Sequence, residues 1–122
     1  MRDTMEKRTL VERANTYAKA ITEPNRMKIL KIIGSAPPET VSVSDIAKML
    51  NLSQPAVSKH LQILNWCGFA IRKKVGNTVY YSIDPETVED FKRVAASAFE
   101  MVRTPCLYGY DCESCPYGET CH

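Results

Sequence analysis

Apolar residues in the first third of the chain recur at spacings of three and four between charged residues, which is the pattern of an amphipathic helix. The first such segment runs from about residue 5 to residue 21. Pro24 favours the start of a second helix, because proline fits the first helical position, and Gly34 is expected to end it. The next segment contains Pro37 and Pro38, which cannot continue a helix. Two helices followed by a loop are therefore predicted here.

The middle of the chain predicts two short helices in succession. The dipeptide Ser44-Asp45 is expected to cap a helix over residues 46–50, and the dipeptide Asn51-Leu52 to form the turn after it. Ser53 is a good N-cap for the next helix, because its hydroxyl oxygen can accept a hydrogen bond from a free backbone N–H. Gly68 is expected to close that helix.

The last part of the domain predicts a β-hairpin and one long helix. Residues 69–75 and 78–83 are rich in β-branched and aromatic side chains, and Gly76-Asn77 between them suits a two-residue turn. The final helix begins at Asp84-Pro85-Glu86, carries an apolar stripe and ends at Thr104-Pro105. The predicted fold class is mainly α with a small β-hairpin, in the order α-α-α-α-β-β-α.

The amino-acid composition restricts the class of protein. The chain has 122 residues, of which 44% are hydrophobic and 25% charged, so it is expected to form one ordinary globular domain rather than a disordered or fibrous chain. Its N-terminus is charged throughout, and no apolar run approaches the roughly 20 residues that span a membrane. The sequence therefore predicts a soluble cytoplasmic protein that has no association with a membrane.

Charge is unevenly distributed along the chain. Residues 53–83 contain four basic side chains and no Asp or Glu: Lys59, Arg72, Lys73 and Lys74. A segment free of acids suits a polyanion, because each cation that meets a phosphate releases a counterion. A solvated basic face would have the same composition.

Two short helices joined by a turn and followed by a basic hairpin have the order of a winged helix-turn-helix. A helix that enters the major groove of double-stranded DNA needs short polar side chains at its N-terminal end and apolar ones behind them. The predicted DNA contacts in the fourth helix are Ser53, Gln54, Pro55, Ala56, Ser58, Lys59 and His60, and those in the hairpin are Arg72, Lys73, Lys74 and Asn77. We rank His60 below Ser58 and Lys59, since a histidine on this helix can equally be covered by its neighbours.

Residues 52–64, with the sequence LSQPAVSKHLQIL, resemble the recognition helix of the ArsR family of bacterial and archaeal repressors. Residues 23–30 resemble that family's second helix, residues 44–47 its third and residues 76–81 its wing, so the resemblance covers about residues 5–103. It implies a homodimer through the first and last helices that binds an inverted-repeat operator and leaves it when an effector binds. A helix-turn-helix used for protein docking is the alternative.

The metal-binding cysteines that the family carries in its third helix are absent here, where residues 41–45 read VSVSD, and the last helix lacks the histidine of the family's zinc sites. Thiols occur instead in the tail, in the pattern Cys106-x5-Cys112-x2-Cys115-x5-Cys121. Four thiols can close around one metal ion or cluster and order a segment that has no core-forming pattern. We therefore divide the chain into a DNA-binding and dimerisation domain, residues 1–103, and a metal-binding or cluster-binding tail, residues 104–122.

Several ligands fit this tail. An iron-sulfur cluster, most simply 4Fe-4S, is the favoured interpretation, followed by zinc and by soft-metal or arsenite sensing. In this hypothesis the metal centre modulates DNA binding. The alternatives are a constitutive DNA-binding protein with a structural zinc tail, and a thiol-redox protein that uses Cys112 and Cys115. The second alternative lacks the βαβ context of such proteins, so we predict no enzymatic activity. Cys67 is expected to pack as a small apolar residue.

Overall fold

The computed structural model describes residues 9–103, 105, 109–111 and 113–116. Within these ranges the order of elements is the predicted one: α1 (Leu10–Ile21), α2 (Pro24–Ser35), α3 (Val43–Leu50), α4 (Gln54–Trp66), β1 (Ala70–Val75), β2 (Thr78–Ile83) and α5 (Pro85–Arg103). The fold is mainly helical with one antiparallel hairpin, as predicted. Of the helices in the described part of the chain, none has the length and apolar character needed to cross a membrane.

The first two helices begin at capping side chains. Thr9 has extended backbone, and its hydroxyl accepts from the backbone N–H of Glu12 at 3.3 Å. The prediction of a continuous helix from residue 5 is therefore wrong at Thr9, because a residue that caps α1 lies outside its helical turns. Glu23 caps α2 in the same way, and α2 continues one residue past Gly34, since the N–H of Ala36 still donates to the carbonyl of Ile32 at 3.0 Å.

The predicted start of α3 is wrong as well. Ser42, rather than Ser44-Asp45, is the N-cap, and the helix begins at Val43. The hydroxyl of Ser42 accepts from the N–H of Asp45 at 3.2 Å, while the carboxylate of Asp45 accepts from the N–H of Ser42 at 3.0 Å. These reciprocal hydrogen bonds satisfy two backbone donors at once, which explains why the helix starts earlier. The hydrogen bonds from Ser42 also lower the pKa of Asp45.

The core lies where all five helices and the base of the hairpin meet. Its largest fully buried side chains are Ile29, Ile46, Val57, Leu61, Leu64 and Val94. Each stabilises the fold by roughly 1.5–3 kcal/mol relative to an exposed side chain. Tyr17 and Phe69 of this core form a triad of edge-to-face rings with Phe91, with centroids 5.4 to 6.1 Å apart, which joins α1 and α5 to the residue before β1.

A polar network also joins α1 to α5. Asp90 accepts two hydrogen bonds from Nη2 of Arg13, at 2.7 and 2.9 Å, and one from the hydroxyl of Tyr17 at 2.6 Å. Burial alone would raise the pKa of Asp90, but the hydrogen bonds from Tyr17 and Arg13 outweigh it and hold that pKa below its ordinary value. Burial, and then the hydrogen bond to Asp90, raise the pKa of Tyr17 to about 12.

Gly68 follows the end of α4, as predicted. Its φ of 91° lies in the region that favours glycine. A Cβ at this position would also lie 3.0 Å from Oγ1 of the buried Thr87 in α5. Both constraints require glycine where the chain turns from α4 into the hairpin.

Candidate nucleic-acid interface

The turn between α3 and α4 sets the angle at which α4 leaves the domain. Asn51 adopts the left-handed conformation, with φ 54° and ψ 46°. The N–H of Leu52 then donates to the carbonyl of Ala47 at 2.9 Å, and that of Asn51 to the carbonyl of Lys48 at 3.3 Å. This pair of bonds is a Schellman ending, in which asparagine takes the place that glycine often occupies. The helix-turn-helix geometry thus follows from one residue that tolerates positive φ.

The N-terminal end of α4 is polar and exposed. Ser53 is the N-cap, as predicted, and its hydroxyl accepts from the N–H of Ala56 at 3.2 Å. Because the cap uses only an oxygen lone pair, the O–H of Ser53 can still donate. Gln54 is exposed, and its Nε2 donates to the hydroxyl of Ser44 in α3 at 3.2 Å. Pro55 is also exposed.

The body of α4 separates its faces clearly. Val57, Leu61 and Leu64 are fully buried, whereas Lys59 is exposed. Ala56 and Ser58 are half-buried at the borders of the exposed face. The helix therefore keeps its apolar side in the core and presents a polar side to solvent, as a helix that enters the major groove must.

His60 occupies the flank of α4 that faces α2. Its side chain is 19% exposed, and its Nδ1 lies 3.4 Å from Nη1 of Arg26 and 3.8 Å from Oε2 of Glu23. These neighbours partly cover the ring. This agrees with the alternative expectation from the sequence, that neighbouring side chains cover this histidine. No sequence signal singles out Arg26, because its partner on α4 is 34 residues away.

The hairpin forms the wing. Its strands pair from Ala70 with Ile83 to Val75 with Thr78, and the turn residues Gly76 and Asn77 are exposed at the tip. Gly76 has φ 62°, whereas Asn77 is not among the described residues with positive φ, so the turn is of the kind that places glycine first. An isolated bridge between Ser42 and Tyr80 attaches the wing to the start of α3.

The three basic residues of β1 are all exposed but point to two sides. Arg72 pairs with Tyr81 and Lys74 with Val79, while Lys73 pairs with Tyr80 on the alternate face. The Nζ of Lys73 contacts Oε1 of Glu39, in the loop before α3, at 2.5 Å. Both side chains of this pair are well exposed, so the pair contributes at most about 1 kcal/mol.

Three cations of this surface have no acidic partner among the described residues. Within the described ranges, the side chains of Lys59, Arg72 and Lys74 take part in none of the observed ion pairs. Unpaired cations at a surface create a positive potential that attracts a polyanion. The candidate interface therefore combines short polar side chains at the start of α4 with exposed cations on α4 and β1 that have no acidic partner among the described residues.

The tail is described only in part. Cys115 is half-buried, whereas Cys106, Cys112 and Cys121 lie outside the described residues. Asp111 accepts from the hydroxyl of Ser114 at 2.7 Å, which lowers the pKa of Asp111 and forms a turn immediately before Cys115. Among residues with described positions, no group of three or more His, Cys, Asp or Glu side chains could hold a metal.

Sequence comparison decides the family. The model of the family described as bacterial regulatory protein, arsR family, matches residues 23–72, from the start of α2 into β1. The transcriptional repressor SdpR of Bacillus subtilis is 33% identical over 76 residues, which make up 62% of this chain and 81% of SdpR. This chain belongs to the ArsR family. It is a DNA-binding transcriptional regulator.

Other members extend the comparison. The cadmium resistance transcriptional regulatory protein CadC homolog of Staphylococcus aureus is 36% identical over 81 residues, or 66% of this chain and 63% of that protein. The fold resembles the homodimeric winged helix-turn-helix DNA-binding domain of Mb0332 from Mycobacterium bovis, with a TM-score of 0.58 and 24% identity, over 75% of this chain and 82% of that one. The family and its structural neighbours are transcriptional regulators, not enzymes.

Proposed function

We propose that this ArsR-family protein is a dimeric repressor that places α4 in the major groove of an inverted-repeat operator and the wing against the DNA backbone. The observation that carries the proposal is the exposed polar start of α4, together with Lys59, Arg72 and Lys74, which take part in none of the ion pairs among the described residues. The proposed contacts are Ser53, Gln54, Pro55, Ala56, Ser58, Lys59 and His60 in and before α4, and Arg72, Lys73, Lys74 and Asn77 in the wing.

These side chains are proposed to contact different parts of the DNA. Gln54 and Ser58 can donate to and accept from base edges, and so confer specificity. Lys59, Arg72 and Lys74 meet phosphates, which position the protein without carrying sequence information. Lys73 contributes less, because it must first leave Glu39.

The homodimer is proposed to form through α1 and α5. The C-terminal part of α5 exposes large apolar side chains, with Phe99 71% and Val102 80% accessible and Met101 also exposed. A second copy would remove this apolar surface from water. The homodimeric state of the Mb0332 domain supports the same assembly, and a dimer presents two copies of α4 to the two halves of a symmetric operator.

The tail, residues 104–122, is proposed as a separate metal-binding unit. Cys106, Cys112, Cys115 and Cys121 supply four soft donors, which suit an iron-sulfur cluster or zinc and also soft toxic metals. Metal sensing is supported by the similarity to the cadmium resistance regulatory protein CadC homolog. Because the tail follows α5 directly, a bound metal can shift α5 at the dimer interface and so change the spacing of the two α4 helices.

The DNA-binding proposal is tested with Gln54→Ala and Ser58→Ala. An operator is first selected in vitro from random duplexes, and the affinity for it is compared with that for random DNA. Each variant should lose about 1–3 kcal/mol of preference for the operator while keeping its fold, because alanine cannot hydrogen-bond to a base edge. Gln62→Ala is the matched control, since Gln62 is exposed two turns later on α4. If both variants keep the wild-type preference for the operator, the proposal that α4 reads the base sequence is contradicted.

The tail proposal is tested by purifying the protein without oxygen and measuring its metal content and absorption spectrum. Single serine replacements of the four tail cysteines should each abolish or severely weaken ligation, whereas Cys67→Ser should leave it intact. Loss of the metal should change operator affinity about 5- to 150-fold, the usual range of coupling between sites. Full metal occupancy in all four tail variants contradicts the site, and equal affinity with and without metal leaves only a structural role.

A further inference from the structure

Arg26 joins three helices at the corner between α1 and α2. Its Nε donates to the carbonyl of Ala20 at 2.5 Å and its Nη2 to that of Lys19 at 3.2 Å, both in the last turn of α1. These carbonyls are acceptors that a helix end leaves free. Its Nη1 lies 3.4 Å from Nδ1 of His60 in α4. One side chain thus connects the end of α1 to the helix proposed to enter the groove.

The contact with Arg26 determines which nitrogen of His60 carries the proton. A guanidinium has five donors and no acceptor, so Nδ1 of His60 must supply the lone pair. A neutral imidazole that accepts at Nδ1 carries its hydrogen at Nε2. Glu23 also faces the ring, but its Oε2 is 3.8 Å from Nδ1 and already accepts the backbone N–H of Arg26 at 2.9 Å. At 3.8 Å, this oxygen lies outside hydrogen-bond distance of Nδ1.

The second ring nitrogen, Nε2, is left available. Nε2 makes no hydrogen bond to a described residue. It is also not buried, since the described residues contain no such buried nitrogen without a partner at His60. The His60 side chain is 19% exposed, and Nε2 reaches solvent because it is neither hydrogen-bonded to a described residue nor fully buried. An N–H at this position is a donor for an acceptor atom outside the chain.

We propose that Arg26 is a positioning residue for DNA binding: it holds His60 in the tautomer with hydrogen on Nε2, so that α4 offers an N–H donor to a phosphate oxygen or a base acceptor. The proposal rests on the proposed placement of α4 in the major groove. Arg26 itself contacts no DNA in this arrangement. It acts through His60 and through the attachment of that ring to the end of α1.

The tautomer is measured directly by nitrogen-15 NMR of the imidazole rings in the free full-length protein at mildly alkaline pH. The chain has two histidines, so His122 serves as an internal comparison. The expected result is hydrogen on Nε2 of His60 in the wild-type protein and a mixture of tautomers in Arg26→Met. Hydrogen on Nδ1, or a mixture in the wild-type protein, overturns the proposal without reference to DNA.

A double-mutant cycle separates positioning from a merely structural role. Arg26→Met should weaken operator affinity roughly two- to tenfold, the value of one hydrogen bond, but should have no further effect in a His60→Phe background. Lys31→Met is the matched control, since it removes one exposed cation from the same helix. Equal weakening by Arg26→Met in both backgrounds overturns the proposal.

Random DNA identifies the partner of the Nε2 hydrogen. Weakening on operator and random duplexes alike indicates a phosphate, whereas weakening on the operator alone indicates a base edge. Either result supports the proposed donor. A wild-type protein that binds neither duplex overturns the DNA-binding proposal itself, while the NMR result for Arg26 and His60 still stands, so the two failures are distinguishable.

Discussion

The α1–α5 pair and the surface formed by α4 and the wing differ in whether their charged side chains are paired. In the pair, Arg13 and Asp90 are about four-fifths buried and bonded to each other. On the α4 and wing surface, Arg72 and Lys74 are exposed and take part in none of the described ion pairs. The charges of Arg13 and Asp90 are paired between the two helices, whereas those of Arg72 and Lys74 have no partner among the described residues and are available to a ligand.

The largest expected effect comes from breaking the network between α1 and α5. Asp90→Asn leaves Arg13 as a poorly solvated charge without its counterion, and should lower the free energy of unfolding by about 3 kcal/mol. The pKa of Asp90 is held below its ordinary value, so this contribution is present above about pH 4 and is lost as the pH falls through the folded-state pKa. Denaturant unfolding across acidic pH measures both quantities.

Glu89→Gln is the matched control for Asp90→Asn. Glu89 pairs with Lys92 on the same helix, and both side chains are well exposed. The expected loss is under about 0.5 kcal/mol. Equal losses in the two variants would show that the Asp90 network contributes no more than a surface pair.

The same network predicts an alkaline effect through Tyr17. Its pKa rises from 10.0 to about 12 on folding, so its contribution is complete below pH 10 and is lost as the pH rises towards 12. Between pH 10 and pH 12 the wild-type protein should therefore lose about 2 kcal/mol more stability than Tyr17→Phe, although the variant is less stable at neutral pH. Unfolding experiments at a series of alkaline pH values test this. Parallel pH profiles for the variant and the wild-type protein would contradict it.

The wing should respond unevenly to alanine replacement. Arg72→Ala or Lys74→Ala should each weaken DNA binding by about 1.5 kcal/mol at low salt, because alanine cannot make the charge-assisted hydrogen bond to a phosphate. Lys73→Ala should have a smaller effect, since Lys73 is bonded to Glu39 in the free protein. Binding titrations with random and operator duplexes measure the losses. A larger effect at Lys73 than at its two neighbours would reverse the assignment of faces on β1.

The smallest expected effect concerns the turn that orients α4. Asn51→Ala should cost about 1 kcal/mol of stability, because alanine is strained at positive φ. Asn51→Gly should cost nothing or slightly stabilise the fold, since glycine adopts this conformation freely. Thermal unfolding of the two variants separates the effect of backbone conformation from that of the asparagine side chain. Equal stability of both variants would rule out strain at this turn.

Local signals make much of this fold predictable. Ser53 and the Gly76-Asn77 turn act on backbone within a few residues, so the sequence shows both the cause and its place. The predicted start of α3 is wrong because several residues near it can cap a helix, and only Ser42 has an acidic residue three positions later that completes a capping box.

Long-range pairs are not predictable from the sequence in this way. Arg13 and Asp90 are 77 residues apart, and no local pattern relates them. The polar face of α4 follows from composition, but the pairing of Lys73 with Glu39 depends on how the loop before α3 packs beside the wing. Such pairing determines which cations are available to bind DNA. The sequence alone shows which residues are cations but not which of them are paired.

The most direct test of the proposed DNA surface is the salt dependence of DNA binding after Lys59, Arg72 and Lys74 are replaced together by alanine. The slope of log affinity against log salt should decrease in magnitude by about three, since each phosphate that a removed cation neutralised accounts for close to one. Alanine replacement of Lys19, Lys31 and Lys92, three exposed lysines on other helices, should leave the slope unchanged. An unchanged slope in the first variant, or the same decrease in both, would contradict the proposal that α4 and the wing form the DNA-binding surface.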